Sequence, residues 1–188
     1  AVRRFLGSCA PDVIVNAAAY TQVDRAESEV EIARRANTEG PRNLAMYSSN
    51  TGARLIHIST DFVFDGMSSS PYRPSDEPHP LNVYGQTKRE GELAVLAATP
   101  EYATILRTSR VYAAVGHNFV HTMLRLLRQS ERIRVVADQI GTPTSADSLA
   151  NVVWKLVPAP DDKGIHHWTD AGVATWYDFA TAIAEEAF

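Results

Sequence analysis

Short, unbroken apolar runs alternate with longer segments of helical period along this chain. That alternation narrows the folds open to it more than any other feature. The runs are DVIVNAAA (residues 12–19), ARLIHIST (53–60), YATILRTS (102–109), RIRVVAD (132–138) and GIHHWTD (164–170). Between them lie helical segments over 27–50, 84–99, 118–129, 145–157 and 175–187, the first still reading as one long helix despite Gly40 and Pro41. A strand that is apolar on both sides has to be covered on both sides. Continuous runs therefore point to a parallel sheet between helical layers, whereas a half-solvated antiparallel sheet would alternate. Strand then helix, repeated, is the pattern of an α/β protein with a doubly wound sheet. Leu93, Leu96 and Ala97 are expected on the buried face of the helix over 84–99, and Phe119, Met123, Leu126 and Leu127 on that of the helix over 118–129. Thr144 or Ser145 is the expected cap of the helix over 145–157.

The 188 residues suffice for one domain with a sizeable core, or one domain with a small appendage. A formal net charge of −4 argues against a sequence-independent nucleic-acid binder, which needs a basic surface. No apolar run approaches the roughly 20 residues of a membrane span. The opening AVRRFLGSCAPD has too short and too interrupted an apolar stretch for a signal peptide. It reads as the inside of a helix and carries no initiator Met, so the front of a larger protein is expected to be missing. Cys9 is the one cysteine, which excludes an intrachain disulfide and favours a reducing, cytoplasmic setting. It is expected to be a small buried hydrophobe. GMSSSPYRPSDEPHPLN (66–82) is expected to be a long loop.

Ligands of doubly wound sheets bind beyond the carboxyl ends of the strands. The polar residues there are Asn16 to Thr21, Ser59 to Asp61, and Thr108 to Arg110. Tyr84 and Lys88 stand four apart at the start of a helix, which puts them on one face with Cβ atoms about 5–6 Å apart. A neighbouring ammonium favours the phenolate and lowers the tyrosine from its ordinary value near 10. Thr60, 24 residues earlier at the tip of a strand, can hydrogen-bond the same oxygen that Tyr84 protonates. Hydroxyl, phenol and ammonium together are what reduction of a ketone requires: groups that hold the carbonyl oxygen and give it a proton as hydride reaches carbon.

The stretches PDVIVNAAAYTQVDRAE, STDFVFDG, YGQTKREGE, ILRTSRVY, NFVHTML, VVADQIGTPT and HHWTDAGVATWYDFA, in that order, resemble the extended branch of the short-chain dehydrogenase/reductases. Within it they resemble the dTDP-4-dehydrorhamnose reductases. The resemblance covers nearly the whole chain and implies a Rossmann-like fold. Residues 1–188 would form a single truncated NAD(P)-binding domain, with segments of a small substrate-binding subdomain mainly from 110 onward. It implies NAD(P)H-dependent reduction of the 4-keto group of dTDP-4-dehydrorhamnose to dTDP-rhamnose. It places catalysis on Thr60, Tyr84 and Lys88. Cofactor contacts fall on Ala18, Ala19, Tyr20 and Thr21 with Tyr84 and Lys88, and sugar contacts on Val23, Thr60 and Asp61. The cofactor would be NADPH or NADH. Mg²⁺ enters by resemblance alone, since no cluster here carries a metal by spacing. A dTDP-sugar substrate and a homodimer are the implied partners.

The chain departs from that family in three places. Residues 1–12 carry no strand and glycine-rich turn for a cofactor pyrophosphate. The C-terminal part stops short at Phe188. Arg110 stands where the family commonly has Trp, so it either reaches the substrate or turns to solvent. Other features read more plainly. His117 and His121 share helical spacing but lack a following Glu and a third ligand, so they mark a solvated edge. His166 and His167, adjacent on a strand, point to opposite faces. DQIGTPTSAD (138–147) is either turn chemistry or a rim of the substrate pocket, and Asp65 and Gly66 are turn formers. An epimerase or dehydratase of the same branch, and a non-catalytic regulatory subunit of methionine adenosyltransferase type, are the alternative functions.

Overall fold

The computed structural model describes residues 2–130 and 132–187. In chain order its elements are α1 (Val2–Cys9), β1 (Val13–Asn16), α2 (Val23–Ala26), α3 (Val30–Arg34), a π-helical turn (Arg35–Glu39) and α4 (Gly40–Thr51). Then come β2 (Arg54–Thr60), a 3-10 turn (Asp61–Val63), α5 (Val83–Ala98), β3 (Ala103–Thr108), β4 (Val111–Tyr112) and α6 (Phe119–Gln129). The chain closes with β5 (Ile140–Gly141), β6 (Thr144–Ser145), α7 (Ala146–Leu156), β7 (Gly164–His167), β8 (Ala174–Thr175) and α8 (Trp176–Ala187). Two compact units result, residues 1–107 with 153–167 and residues 108–152 with 168–188. Among the described residues no helix is long and apolar enough to cross a membrane.

The first unit holds a four-stranded sheet in the order β1-β2-β3-β7. β1 runs parallel to β2 with Asn16 opposite His57, and β3 runs parallel to β7 with Arg107 opposite His167. The central strands are apolar on both sides, as their unbroken runs require: Leu55, Ile56, Ile105 and Leu106 are all nearly or wholly excluded from solvent. Leu55 and Ile105 join Leu6, Ile14, Ala45, Ala53, Val95 and Ala103 in one cluster, with Leu44, Tyr47 and Leu96 packed against it. Each fully buried Leu or Ile contributes roughly 1.5–3 kcal/mol. Arg54 is the exception in β2. Its guanidinium reaches the carbonyls of Leu156, Val157 (3.3 Å) and Asp162 (3.2 Å) and the Thr104 hydroxyl (3.1 Å). A cation is suited to carbonyls that a helix end leaves without intrahelical partners.

Three expectations are corrected in this unit. The segment over 27–50 is not one regular helix: α3 passes through a π-helical turn into α4. Pro41 lies in the first turn of α4, where a missing N–H costs little. On α5 the buried face is Tyr84, Thr87, Lys88, Gly91, Glu92 and Val95, while Leu93 is half exposed and Ala97 exposed. Polar side chains take the inner face because partners await them there. Cys9, at the end of α1, is exposed rather than buried.

In the second unit β4 pairs parallel with β6, and β5 pairs antiparallel with β8. Beside them helices α6 and α8 bring the Phe119 ring into a stack with Phe179 and a tilted contact with Trp176, while Phe179 also meets Tyr112. Met123 is buried and Phe119, Leu126 and Leu127 partly so, as the helical period predicts. Asn118 caps α6 by accepting from the His121 N–H (3.2 Å). Thr175 and Asp178 exchange side-chain and backbone bonds at the start of α8. The run over 132–138 forms no strand. Its Ile133 and Val135 instead line an apolar groove with Met123, Leu127 and Tyr177, anchored by the Tyr177 N–H on the Val136 carbonyl (3.1 Å).

Candidate active site

The first unit brings β2, α5 and the segment after β1 together, and the contacts that do so are backbone-close. Thr60, the last residue of β2, accepts from the Phe62 N–H (3.2 Å) and donates to Asp61 (3.0 Å), which starts the 3-10 turn. Asn82 caps α5 on the Gly85 N–H (2.8 Å), and Glu27 accepts from the Val83 N–H (2.8 Å). Gly85 lies so close to the 3-10 turn that a Cβ there would stand 2.2 Å from the Phe62 carbonyl oxygen. No larger residue lets the first turn of α5 sit against the end of β2. Thr60, Tyr84 and Lys88 are thereby held at one end of the sheet.

Tyr84 is buried, with the Phe62 ring edge-on at 5.5 Å. Burial pushes its phenol up to about 12, a hydrogen bond with Thr60 acts the other way, and the charge of Asp61 adds to the rise. The lowering expected from Lys88 is not seen: burial governs the phenol, and the Lys88 ammonium, itself 2% exposed, donates to the Ile58 carbonyl (2.7 Å). Burial draws Lys88 down to about 8 against an opposing pull from Glu92. An ammonium has three donors. One on Ile58 leaves two to offer a diol such as a ribose, so the donor set fits a nicotinamide nucleotide.

The segment after β1 is braced from below. Asn16 accepts from the Ala18 N–H (3.3 Å) through its oxygen and meets His57 Nδ1 (2.9 Å) through its amide nitrogen. That assignment leaves the proton of neutral His57 on Nε2, which has no partner among the described groups. Burial, then the Lys88 charge, holds His57 down at about 3. Asn37, from the π-helical turn, accepts from the Tyr20 N–H (2.8 Å) and donates to the Tyr20 carbonyl (3.1 Å) and to Thr87 (3.1 Å). Tyr20 and Val23 pack with Phe62 and Val83 on the cluster of Ala26, Ala33 and Tyr84. Ala18 and Thr21 are exposed and Ala19 partly so. The residues expected to meet cofactor thus lie on a loop fixed at both ends, with Tyr20 packed on the Tyr84 cluster.

Arg110 belongs to the second unit. Its backbone is left-handed (φ +46°), and its guanidinium donates to the Ala174 and Gln139 carbonyls (2.8 Å each) over the Trp176 ring at 4.2 Å. It does not turn to solvent. Asp65 accepts from Tyr72 (2.5 Å) and from the Met67 N–H, and Gly66 is left-handed (φ +72°), both as turn formers. Gly141 and Thr144 fall in the short strands of the second unit. His121 binds the Ala114 carbonyl, while His166 and His167 bind Lys163 and Tyr72 carbonyls. Among the described residues no His, Cys, Asp and Glu group could hold a metal. Asn37, Glu92 and Arg107 are supporting residues that the sequence reading missed. Their one linear signal is the spacing of four between Lys88 and Glu92.

The family model for the RmlD substrate binding domain matches residues 1–188. The spore coat polysaccharide biosynthesis protein SpsK of Bacillus subtilis (strain 168) is 45% identical over 186 residues, covering 99% of this chain and 65% of that protein. A dTDP-4-dehydrorhamnose reductase of Aggregatibacter actinomycetemcomitans is 45% identical over 187 residues, 97% of this chain and 63% of that protein. The chain thus spans under two thirds of the length of these relatives. The crystal structure of a dTDP-4-dehydrorhamnose reductase from Bacillus anthracis in complex with NADP superimposes with a TM-score of 0.95 at 40% identity, over 99% of this chain and 66% of that one. A dTDP-glucose 4,6-dehydratase from Streptomyces venezuelae, 18% identical with a TM-score of 0.83, shares the Rossmann-like fold alone.

Proposed function

The chain belongs to the RmlD substrate binding domain family, and from that premise we propose that its site serves reduction of the 4-keto group of dTDP-4-dehydrorhamnose to dTDP-rhamnose. The observation that carries the reading is geometric: Tyr84, edge-on to Phe62 of the turn after Thr60, and Lys88, bonded to the Ile58 carbonyl of β2, share one buried face of α5 at the end of that strand. A bound NADPH or NADH supplies the hydride. Tyr84 gives its proton to the carbonyl oxygen as that oxygen gains charge, and Thr60 steadies the same oxygen with its hydroxyl. At about 12 the phenol is fully protonated at neutral pH, the state an acid needs but a reluctant one. Lys88 offers its remaining donors to the nucleotide's ribose. Ala18, Ala19, Tyr20 and Thr21 line the cofactor, and Val23 and Asp61 the sugar. Segments mainly from 110 onward, Arg110 among them, belong to a substrate-binding subdomain. A cytoplasmic setting, where nicotinamide nucleotides are kept reduced, goes with this chemistry.

The test uses the complete protein and enzymatically prepared dTDP-4-dehydrorhamnose, following nicotinamide absorbance and the sugar product. Net oxidation of one cofactor per sugar is expected, and Tyr84→Phe should cost roughly 10²–10⁴-fold in kcat with binding little changed. Recycling of the cofactor without net consumption, or full turnover by Tyr84→Phe, refutes the assignment.

A further inference from the structure

We propose that Glu92 is a positioning residue for this chemistry: one helical turn beyond Lys88, it anchors the end of β2 through Ser59 and supplies the negative charge that faces the Lys88 ammonium. The inference rests on the reading of Tyr84 and Lys88 above, but its observations are separate. Glu92 is wholly buried, where a lone carboxylate would be costly. Its oxygens are fully engaged. One accepts from Ser59 (2.6 Å) and Arg107 Nε (2.8 Å), and the other from Arg107 Nη2 (2.7 Å) and Arg89 (3.0 Å). Burial alone would raise this carboxyl. The Arg107 bonds and charge, with Ser59 and Arg89, outweigh burial and hold it below the usual carboxylate range. It is therefore ionised at neutral pH.

Three elements meet at this one group: α5 through Glu92 and Arg89, β2 through Ser59, and β3 through Arg107. Ser59 immediately precedes Thr60, so the carboxylate fixes the strand end from which Thr60 meets Tyr84. Lys88 lies four residues back on the same buried face. Lys88 in turn acts on His57 of β2, whose imidazole is neutral above about pH 3, and Tyr84 stands one turn back on the same face. Around Glu92 itself stand Arg89, Ser59, Arg107 and, from β7, His167. Burial pulls Lys88 toward deprotonation, and Glu92 opposes that pull. Without the Glu92 charge, Lys88 should lose its proton at lower pH. An ion pair that only holds the fold would leave the Lys88 titration where it is.

The chain has Lys88, Lys155 and Lys163 as its lysines, so carbon-13 lysine labelling can follow Lys88 through a pH titration by NMR. Glu92→Gln keeps the size but removes the charge and sets an amide NH2 where one oxygen accepted; it should move the Lys88 midpoint down by about one unit. An unmoved midpoint in the folded variant overturns the proposal. If Glu92→Gln alone does not fold, Glu92→Gln with Arg107→Met removes both buried charges together, a change buried pairs tolerate better. The same downward shift is expected there, and its absence again overturns the proposal. In the complete protein, Glu92→Gln should lower kcat about 10-fold with KM changed less than about twofold, and move the high-pH limb of the kcat profile downward. A limb that stays in place while Lys88 moves also overturns it. A wild-type protein that does not reduce the sugar counts against the proposed function, while the lysine titration still decides on Glu92.

Discussion

Replacing Gly91 by alanine tests the tightest contact in the first unit. A Cβ at Gly91 would stand 2.1 Å from the Asn37 carbonyl oxygen. The obstacle is backbone on both sides, so α5 and the π-helical turn must part by about 1 Å to restore a contact distance. Across that seam run the Asn37 bond to the Thr87 hydroxyl (3.1 Å) and the Thr38 bond to the Thr87 carbonyl (2.9 Å). Alanine gains up to about 1 kcal/mol over glycine in a helix. Against that stand about 1–3 kcal/mol of overpacking and about 1 kcal/mol for each buried hydrogen bond weakened. The expected net is a loss of about 2–4 kcal/mol, read as a lower urea midpoint at constant slope in circular dichroism. Gly7→Ala is the control, since nothing lies within 4 Å of its new methyl. It should be neutral or stabilising by up to about 1 kcal/mol. Amide exchange at Tyr20, whose N–H is held by Asn37, should quicken in Gly91→Ala and not in Gly7→Ala. If Gly91→Ala raises the midpoint, as the control does, the seam is not tight and the reasoning fails.

Arg54→Met should destabilise by about 2–4 kcal/mol, because the Leu156, Val157 and Asp162 carbonyls lose their shared donor; an unchanged denaturation midpoint would contradict this. Buried His57 binds a proton in the unfolded chain below pH 6.5 but not in the native one until about pH 3. Stability should therefore fall by about 1.4 kcal/mol per unit as pH drops through that window. His57→Gln should remove that part of the slope, and parallel pH profiles for the two proteins would refute it. Arg110→Met should cost about 1–3 kcal/mol by freeing two carbonyls and the Trp176 face. Arg110→Trp in the complete protein addresses its proposed substrate role, where a change under about twofold in both KM and kcat would leave Arg110 as a structural clamp alone.

What could be read from the sequence follows from which forces act locally. The apolar runs around Leu55 and Ile105 mark strands because their burial is two-sided, whereas the edge strand around Ile14 leaves Val15 exposed. The run over 132–138 looks the same in one dimension. Its Ile133 and Val135 satisfy themselves against helices, and no neighbouring strand offers a ladder. Leu93 was expected to face inward on apolar character alone, but Glu92 and Lys88 outbid it because Arg107, Ser59 and Ile58 supply partners from distant strands. Neither the Asn37 clamp nor the two-residue strands β4 to β6 and β8 leave a periodic trace. The role of Arg107 depends on a carboxylate 15 residues away that no local pattern links to it.

The π-helical turn between α3 and α4 also sets the phase of everything after it. Each residue advances a regular helix by about 100°, so a wider turn offsets the downstream face relative to the upstream one. Ala33 looks toward the Tyr84 cluster on one side of that offset, and Ala45 looks into the sheet core on the other. Excising one residue within 35–39 would let the helix run straight and would look harmless by composition. It would also rotate α4 about its own axis, swinging Ala45 and Ser48 away from the core and drawing Asn37 off the Tyr20 main chain. This stretch should therefore tolerate substitution at its exposed positions, Arg35 and Glu39, far better than any change in its length.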